Sequence, residues 1–134
     1  MKIVNMTPHE VKIRVQDAEV VIPPSGQTIR LPEMDKAAEP ILIGSVEVPL
    51  IVRNFNRPPL PNETEPTVVI VSLPVIMSLN VLPDSMLPEN ILFVSPDTGS
   101  GAIRGKDGNI EATTRLITTE KLLARFNRTK GGDE

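Results

Sequence analysis

The sharpest chemical motif in this chain is Asp97-Thr98-Gly99-Ser100, the tetrapeptide that carries the reactive carboxylate in aspartic peptidases. That chemistry needs two aspartates sharing one proton, so a chain with one such motif would have to work as a pair. The flanks argue against it. Ser95-Pro96 stands where an apolar strand would run into the aspartate. The 37 residues after Asp97 are too few for a flap and a second apolar-glycine element. The tetrapeptide therefore reads as a turn.

A turn with this composition has a second possible chemistry. Glycine admits positive φ, and successive amides in such a turn converge on an anion. The N–H groups of Gly99, Ser100 and Gly101, followed by Arg104 and Lys106, form a candidate anion-binding segment; arginine also grips phosphate with two N–H groups at once. The structural alternative is a tight turn in which Asp97 bonds its own backbone. The segment lacks the Gly-Lys-Ser/Thr ending of a P-loop and the spacing of a dinucleotide fingerprint. A second candidate group is Arg53-Asn54-Phe55-Asn56-Arg57, where Phe55 would stack on a base and Arg53 and Arg57 would meet phosphates. Phe55 could equally anchor a proline-rich loop on the core.

Other chemistries are closed. There is no cysteine, which removes thiolate nucleophiles, disulfides and cysteine metal sites. His9 is the only histidine, so two-histidine zinc patterns are excluded and little remains for acid–base work. No metal or cofactor is expected, and the chain reads as a binder rather than an enzyme. Glu63 and Glu65 sit among prolines and read as solvation. The net charge of −3 and only three aromatic residues, all Phe, argue against general nucleic-acid binding. Charge is uneven, however: residues 101–130 hold seven basic and three acidic side chains. No apolar run reaches a membrane span and the start does not read as a signal peptide, so no membrane association is expected.

The elements that must position these groups are mostly strands. Val11, Ile13 and Val15 alternate with Lys12, Arg14 and Gln16, the period of a half-buried strand. Val20-Val21-Ile22 and Thr28-Ile29-Arg30-Leu31 follow after turns, giving two hairpin-like steps. Residues 32–40 are charged and proline-bounded and read as a loop. Ile41–Ile43 and Val46–Val52 read as strands, with Pro49 marking an edge or a bulge. Val68–Val71 and Ile91–Val94 are continuous apolar runs, as in strands covered on both faces. Between them, Ser72 or Leu73 caps a short helix with Pro74 in its first turn. Asp107-Gly108-Asn109 turns into a last strand over Ile110–Ile117. Thr118 or Thr119 then caps a closing helix to about Asn127, with Leu122, Leu123 and Phe126 on one face.

Four blocks carry a resemblance: Thr7-Pro8-His9-Glu10-Val11, Ile22-Pro23-Pro24-Ser25-Gly26, Ile70-Val71-Ser72-Leu73-Pro74-Val75 and Ser95-Pro96-Asp97-Thr98-Gly99-Ser100-Gly101-Ala102. Together they resemble small, functionally unassigned proteins of tailed bacteriophages and prophages. The resemblance carries over no catalytic residue; it implies expression in the cytoplasm of a bacterial host. The combined expectation is a mainly β domain over 1–128 with a flexible tail at 129–134. Its form would be a compact β-sandwich or partly closed barrel with one short internal helix and one C-terminal helix. The expected role is a non-catalytic phage accessory protein, a homo-oligomer, that binds a small anionic, nucleotide-like ligand and sequesters a host immune signal. Arg53, Phe55, Arg57, Gly99, Ser100, Gly101, Arg104 and Lys106 would hold it. The alternative is a virion component or an inhibitor of a host protein.

Overall fold

The computed structural model describes residues 1–31, 33–55 and 58–130. In chain order the elements are β1 (Lys2–Asn5), β2 (Val11–Val15), β3 (Ala18–Ile22), β4 (Glu33–Ile43), β5 (Val46–Phe55) and β6 (Thr67–Ile70). Then come α1 (Leu73–Asn80), a 3-10 turn (Asp84–Met86), β7 (Ile91–Pro96), β8 (Ala102–Arg104), β9 (Ile110–Thr113), β10 (Leu116–Ile117) and α2 (Glu120–Thr129). The chain is mainly β with two helices among the described residues, and none of their sheets closes into a barrel.

The two most apolar runs make the centre. One sheet has the order β1-β6-β7-β10, with β1, β6 and β7 mutually parallel and β10 antiparallel to β7. Side chains alternate across a strand, so each run serves two layers. Val69, Ile91 and Phe93, together with Val71 just beyond β6, pack with Val75, Ile76 and Leu79 of α1 and Leu122 of α2. Ile70 and Val94 cluster with Val11, and Val68 and Leu92 join them beside Ile13 and Ile22. Those last residues belong to a second sheet of order β3-β2-β9-β8, in which β2 and β9 are parallel. Cover on both sides is what makes the central strands read as unbroken apolar runs.

The helices start where their caps dictate. Ser72 is the extended N-cap of α1, with proline in the first turn. At α2 the Thr119 hydroxyl accepts from the Leu122 N–H at 3.1 Å. The basic face of α2 is used internally. Lys121 donates to the Leu82 carbonyl, and Arg125 donates to the Leu87 carbonyl at 3.0 Å.

Several expectations need correction. The charged stretch expected to be a loop is most of strand β4, because it pairs along its length with β5, including a 2.8 Å Arg53–Asp35 ion pair. The register shifts between Ala38 and Ile41, beside Pro40 and facing Pro49. Thr28–Leu31 is not a strand. Its Ile29 is buried and its N–H donates to the Met6 carbonyl at 3.1 Å. The single strand expected over Ile110–Ile117 breaks at Thr114-Arg115, so β9 serves one sheet and β10 the other. β1 had no counterpart in the sequence reading. The closing helix extends to Thr129, whose hydroxyl accepts from the Asn90 N–H at 2.9 Å. The remainder of the expected tail, 131–134, lies outside the described residues.

Candidate functional site

Because β1, β6 and β7 are parallel, their carboxyl ends share one edge of the sheet. In sheets of this kind, ligands settle in the crevice outside those ends. β1 leads into Met6-Thr7-Pro8-His9, β6 into Val71-Ser72-Leu73 and β7 into Ser95-Pro96-Asp97-Thr98. Three of the four blocks behind the phage resemblance thus converge here. The fourth is tied on by the Ser25 N–H, which donates to the Asn5 carbonyl at 2.8 Å.

Asn5 holds this edge together. It is 1% exposed. Its Nδ2 donates to the carbonyls of His9 (2.8 Å) and Ile22 (3.1 Å). Its Oδ1 accepts from the Thr7 N–H (3.0 Å) and the Thr7 hydroxyl (2.6 Å). One side chain therefore fixes the turn that presents His9.

A cleft of about 500 Å³ opens at the strand ends. Its polar lining includes Thr7, His9, Lys12, Ser72, Ser95 and Thr98 together with the carboxylates of Glu10 and Glu111, and its apolar walls include Val11, Leu73, Pro74 and Ile110. A second cleft of about 490 Å³ shares Thr7, Ser72 and Pro74 and adds Arg30. Buried polar groups are almost always hydrogen-bonded. Ser95 is 2% exposed and lines the cleft, where its hydroxyl has no hydrogen bond among the described residues; the side-chain atom that is fully buried without a partner is Arg125 Nε, away from the cleft. The Ser72 and Thr98 hydroxyls and the His9 imidazole likewise have no protein partner among the described residues. Lys12 is held loosely, 3.9 Å from Glu10.

Asp97, at the rim, is occupied. Its Oδ1 accepts from the Gly99 N–H at 2.9 Å, and its Oδ2 accepts from the Gly101 N–H at 3.2 Å and from Arg115 Nε at 2.7 Å. Arg115 also donates to the Ser100 hydroxyl at 2.6 Å. The Arg115 hydrogen bond, then the Gly99 amide, hold the Asp97 carboxyl below the usual carboxylate range, against the opposing effect of burial. The glycine amides expected to meet an anion from outside meet one supplied by the chain. The tight-turn alternative describes this segment.

The structure does not bring the expected ligand residues together at the cleft. Neither cleft is lined by Arg53, Gly99, Ser100, Gly101, Arg104 or Lys106. Arg53 pairs with Asp35 on the β4–β5 hairpin, and Arg104 donates to the Gly108 carbonyl at 2.8 Å in its own turn. Lys106 is exposed in that turn. The Phe55 side chain and Arg57 lie outside the described residues.

No protein-family model, curated protein or solved structure matches this chain. The site therefore stands on its geometry. Among the described residues there is no cluster of three metal-ligating side chains, and no helix long and apolar enough to cross a membrane. Sequence reasoning passed over Ser72, Ser95 and Thr98. The signal that could have found them is the pattern of strand, capped helix and strand over residues 68–94. Such a unit implies parallel strands, and parallel strands point to the residues just past their carboxyl ends.

Proposed function

We propose that this chain is a non-catalytic phage accessory protein that binds a small anionic, nucleotide-like ligand at the carboxyl ends of β1, β6 and β7. The ligand site moves from the cationic loops expected from sequence to the cleft. The Ser95 hydroxyl carries this reading, since it faces the cleft at the end of β7 with no hydrogen bond to the described residues and so is open to a ligand. Ser72, Thr98 and His9 add donors; Lys12 in this cleft and Arg30 in the adjoining one supply positive charge beside the carboxylates of Glu10 and Glu111, so the ligand's anionic group is seated toward Arg30. The apolar walls suit a flat ring. The two sheets, joined through Val11, Ile70 and Val94, give the cleft a sandwich-like frame. Binding without turnover is supported by the state of the acid–base groups. Asp97 is engaged by Arg115, and His9 has no carboxylate partner among the described residues.

The reading is tested by mass spectrometry of small molecules released when protein from infected bacteria is denatured. A phosphorylated compound recovered intact from the native chain, and at least tenfold depleted from Ser95→Val, is the expected result. Equal recovery from both proteins overturns the site, and recovery of a chemically altered ligand makes the protein an enzyme. The second reading, a virion component or an inhibitor of a host protein, draws on the exposed aliphatic side chains of the β4–β5 hairpin.

A further inference from the structure

The β4–β5 hairpin has a feature the cleft does not explain. It is an antiparallel pair that hydrogen-bonds to no other strand among the described residues. A lone two-stranded hairpin is marginal in water at best, and becomes stable by covering one face. The register determines which face that is. Met34, Ala38, Ile41 and Ile43 of β4 lie across from or beside Val46, Val48, Leu50 and Val52 of β5 on one side. The opposite side carries the Asp35–Arg53 ion pair, Glu47 and Pro49, along with Ala37, Leu42 and Ile51. The first side is the more aliphatic, although Leu42 and Ile51 on the other are also exposed, and it is open: Met34 is 62%, Ile43 60% and Val46 61% exposed.

We infer that this aliphatic face is the contact surface for a second copy of the chain. Three observations select that occupant. The first is area. Six of its aliphatic side chains are at least 43% exposed, and pairing two copies covers both sets at once, toward the ~1,200 Å² at which stable interfaces begin. The second is charge. Among its paired positions Lys36 is the one charged side chain, so the face offers no pattern to a charged partner and is complementary to its own aliphatic surface. A two-fold axis requires just this self-complementarity. The third is mode of contact. Pro40 and Pro49 interrupt both strands near their middles and lack the N–H groups that edge pairing needs. Two hairpins then meet face to face, as stacked sheets do. A face that must be covered for its hairpin to persist is served by the partner that accompanies every folded chain.

Sedimentation of the full chain at tens of micromolar is expected to give twice the chain mass. Leu50→Glu, on the aliphatic face, is expected to halve that mass, while Ile51→Glu, on the opposite face, leaves it unchanged. Should Leu50→Glu fail to fold, the cysteine-free background supplies a second measurement. Under mild oxidation Val46→Cys is expected to form a covalent dimer far faster than Glu47→Cys. A native chain that sediments as a monomer overturns the inference, including one that captures a different protein on this face. So does equal cross-linking of the two cysteine variants. Neither result touches the ligand reading, which is measured through Ser95.

Discussion

Arg115 Nε lies 2.7 Å from Oδ2 of Asp97, joining the loop after β7 to the turn between β9 and β10. The same junction is bonded through the backbone. The Asp97 N–H donates to the Arg115 carbonyl at 3.1 Å, and the Thr113 hydroxyl donates to the Asp97 carbonyl at 2.8 Å. β9 belongs to one sheet and β10 to the other, so this ion pair sits where the chain crosses between layers. Asp97→Asn and Arg115→Met are each expected to lower the melting temperature by several degrees. The double variant should melt no lower than the worse single variant, because both remove one shared interaction. Thermal melts of the four proteins check this, and additive losses would show that the pair does not act as a unit.

Gly101 is demanded by the same junction. A Cβ there would lie 2.7 Å from Asp97 Oδ2 and 3.0 Å from Arg115 Cγ, closer than either side chain can yield while the pair stays intact. At Gly99 the nearest atom would be 3.4 Å away, an ordinary contact. Gly101→Ala is expected to cost about 1–3 kcal/mol, the usual range for forcing volume into a packed site. Gly99→Ala should be close to neutral. Urea midpoints of the two variants settle the contrast.

Acid should unfasten the junction. Asp97 has its carboxyl lowered chiefly by the Arg115 hydrogen bond, Asp35 by Arg53, and Asp107 by the Asn109 backbone N–H. A carboxyl lowered in the folded state binds fewer protons there than in the unfolded chain. Its contribution is therefore complete above the unfolded value of about 3.9 and is lost as pH falls through the lower folded value. Stability is expected to fall as pH drops below about 4 on this account. Arg115→Met should flatten part of that slope. Urea unfolding at pH 7, 4 and 3 measures it, and an unchanged slope in the variant would remove Asp97 from the explanation.

Much of this fold was legible before any coordinates. The periodicity of Val11–Val15, the apolar runs at Val68 and Ile91, the Ser72-Leu73-Pro74 start and the Thr119 cap each depend on neighbours in sequence, and each was found. What escaped depended on distant partners. β1 is four residues long and becomes a strand through parallel pairing with β6, whose sequence distance no local pattern reveals. The charged start of β4 looked like a loop because the mate of Asp35, Arg53, lies 18 residues away on β5. The Gly99 and Gly101 amides looked available because the carboxylate that occupies them is fixed by Arg115, 18 residues beyond Asp97. Cationic side chains drew attention as ligand groups, whereas Ser72 and Ser95 gain significance only once the strands are known to be parallel.

The last prediction concerns Asn5, which positions one wall of the cleft without lining it. Its amide satisfies two carbonyls, and its oxygen accepts two donors from Thr7. Truncation to alanine removes a donor from the His9 and Ile22 carbonyls; the His9 carbonyl keeps the Thr7 hydroxyl at 3.0 Å, while the partly buried Ile22 carbonyl loses its Asn5 donor, at about 1–3 kcal/mol. Asn5→Ala is thus expected to lose about 1–3 kcal/mol in urea unfolding, a large share of a small domain's stability. Asn5→Asp should be no milder, since it sets a carboxylate oxygen against the same two carbonyls. Thr7→Val removes only hydroxyl bonds and should cost less than either. Ligand recovered from infected cells should fall with Asn5→Ala even below the melting transition, because Thr7 and His9 lose their placement. Stability of Asn5→Ala within about 0.5 kcal/mol of the native chain, the spread of ordinary surface changes, would show that the strand ends are organised by something other than this side chain.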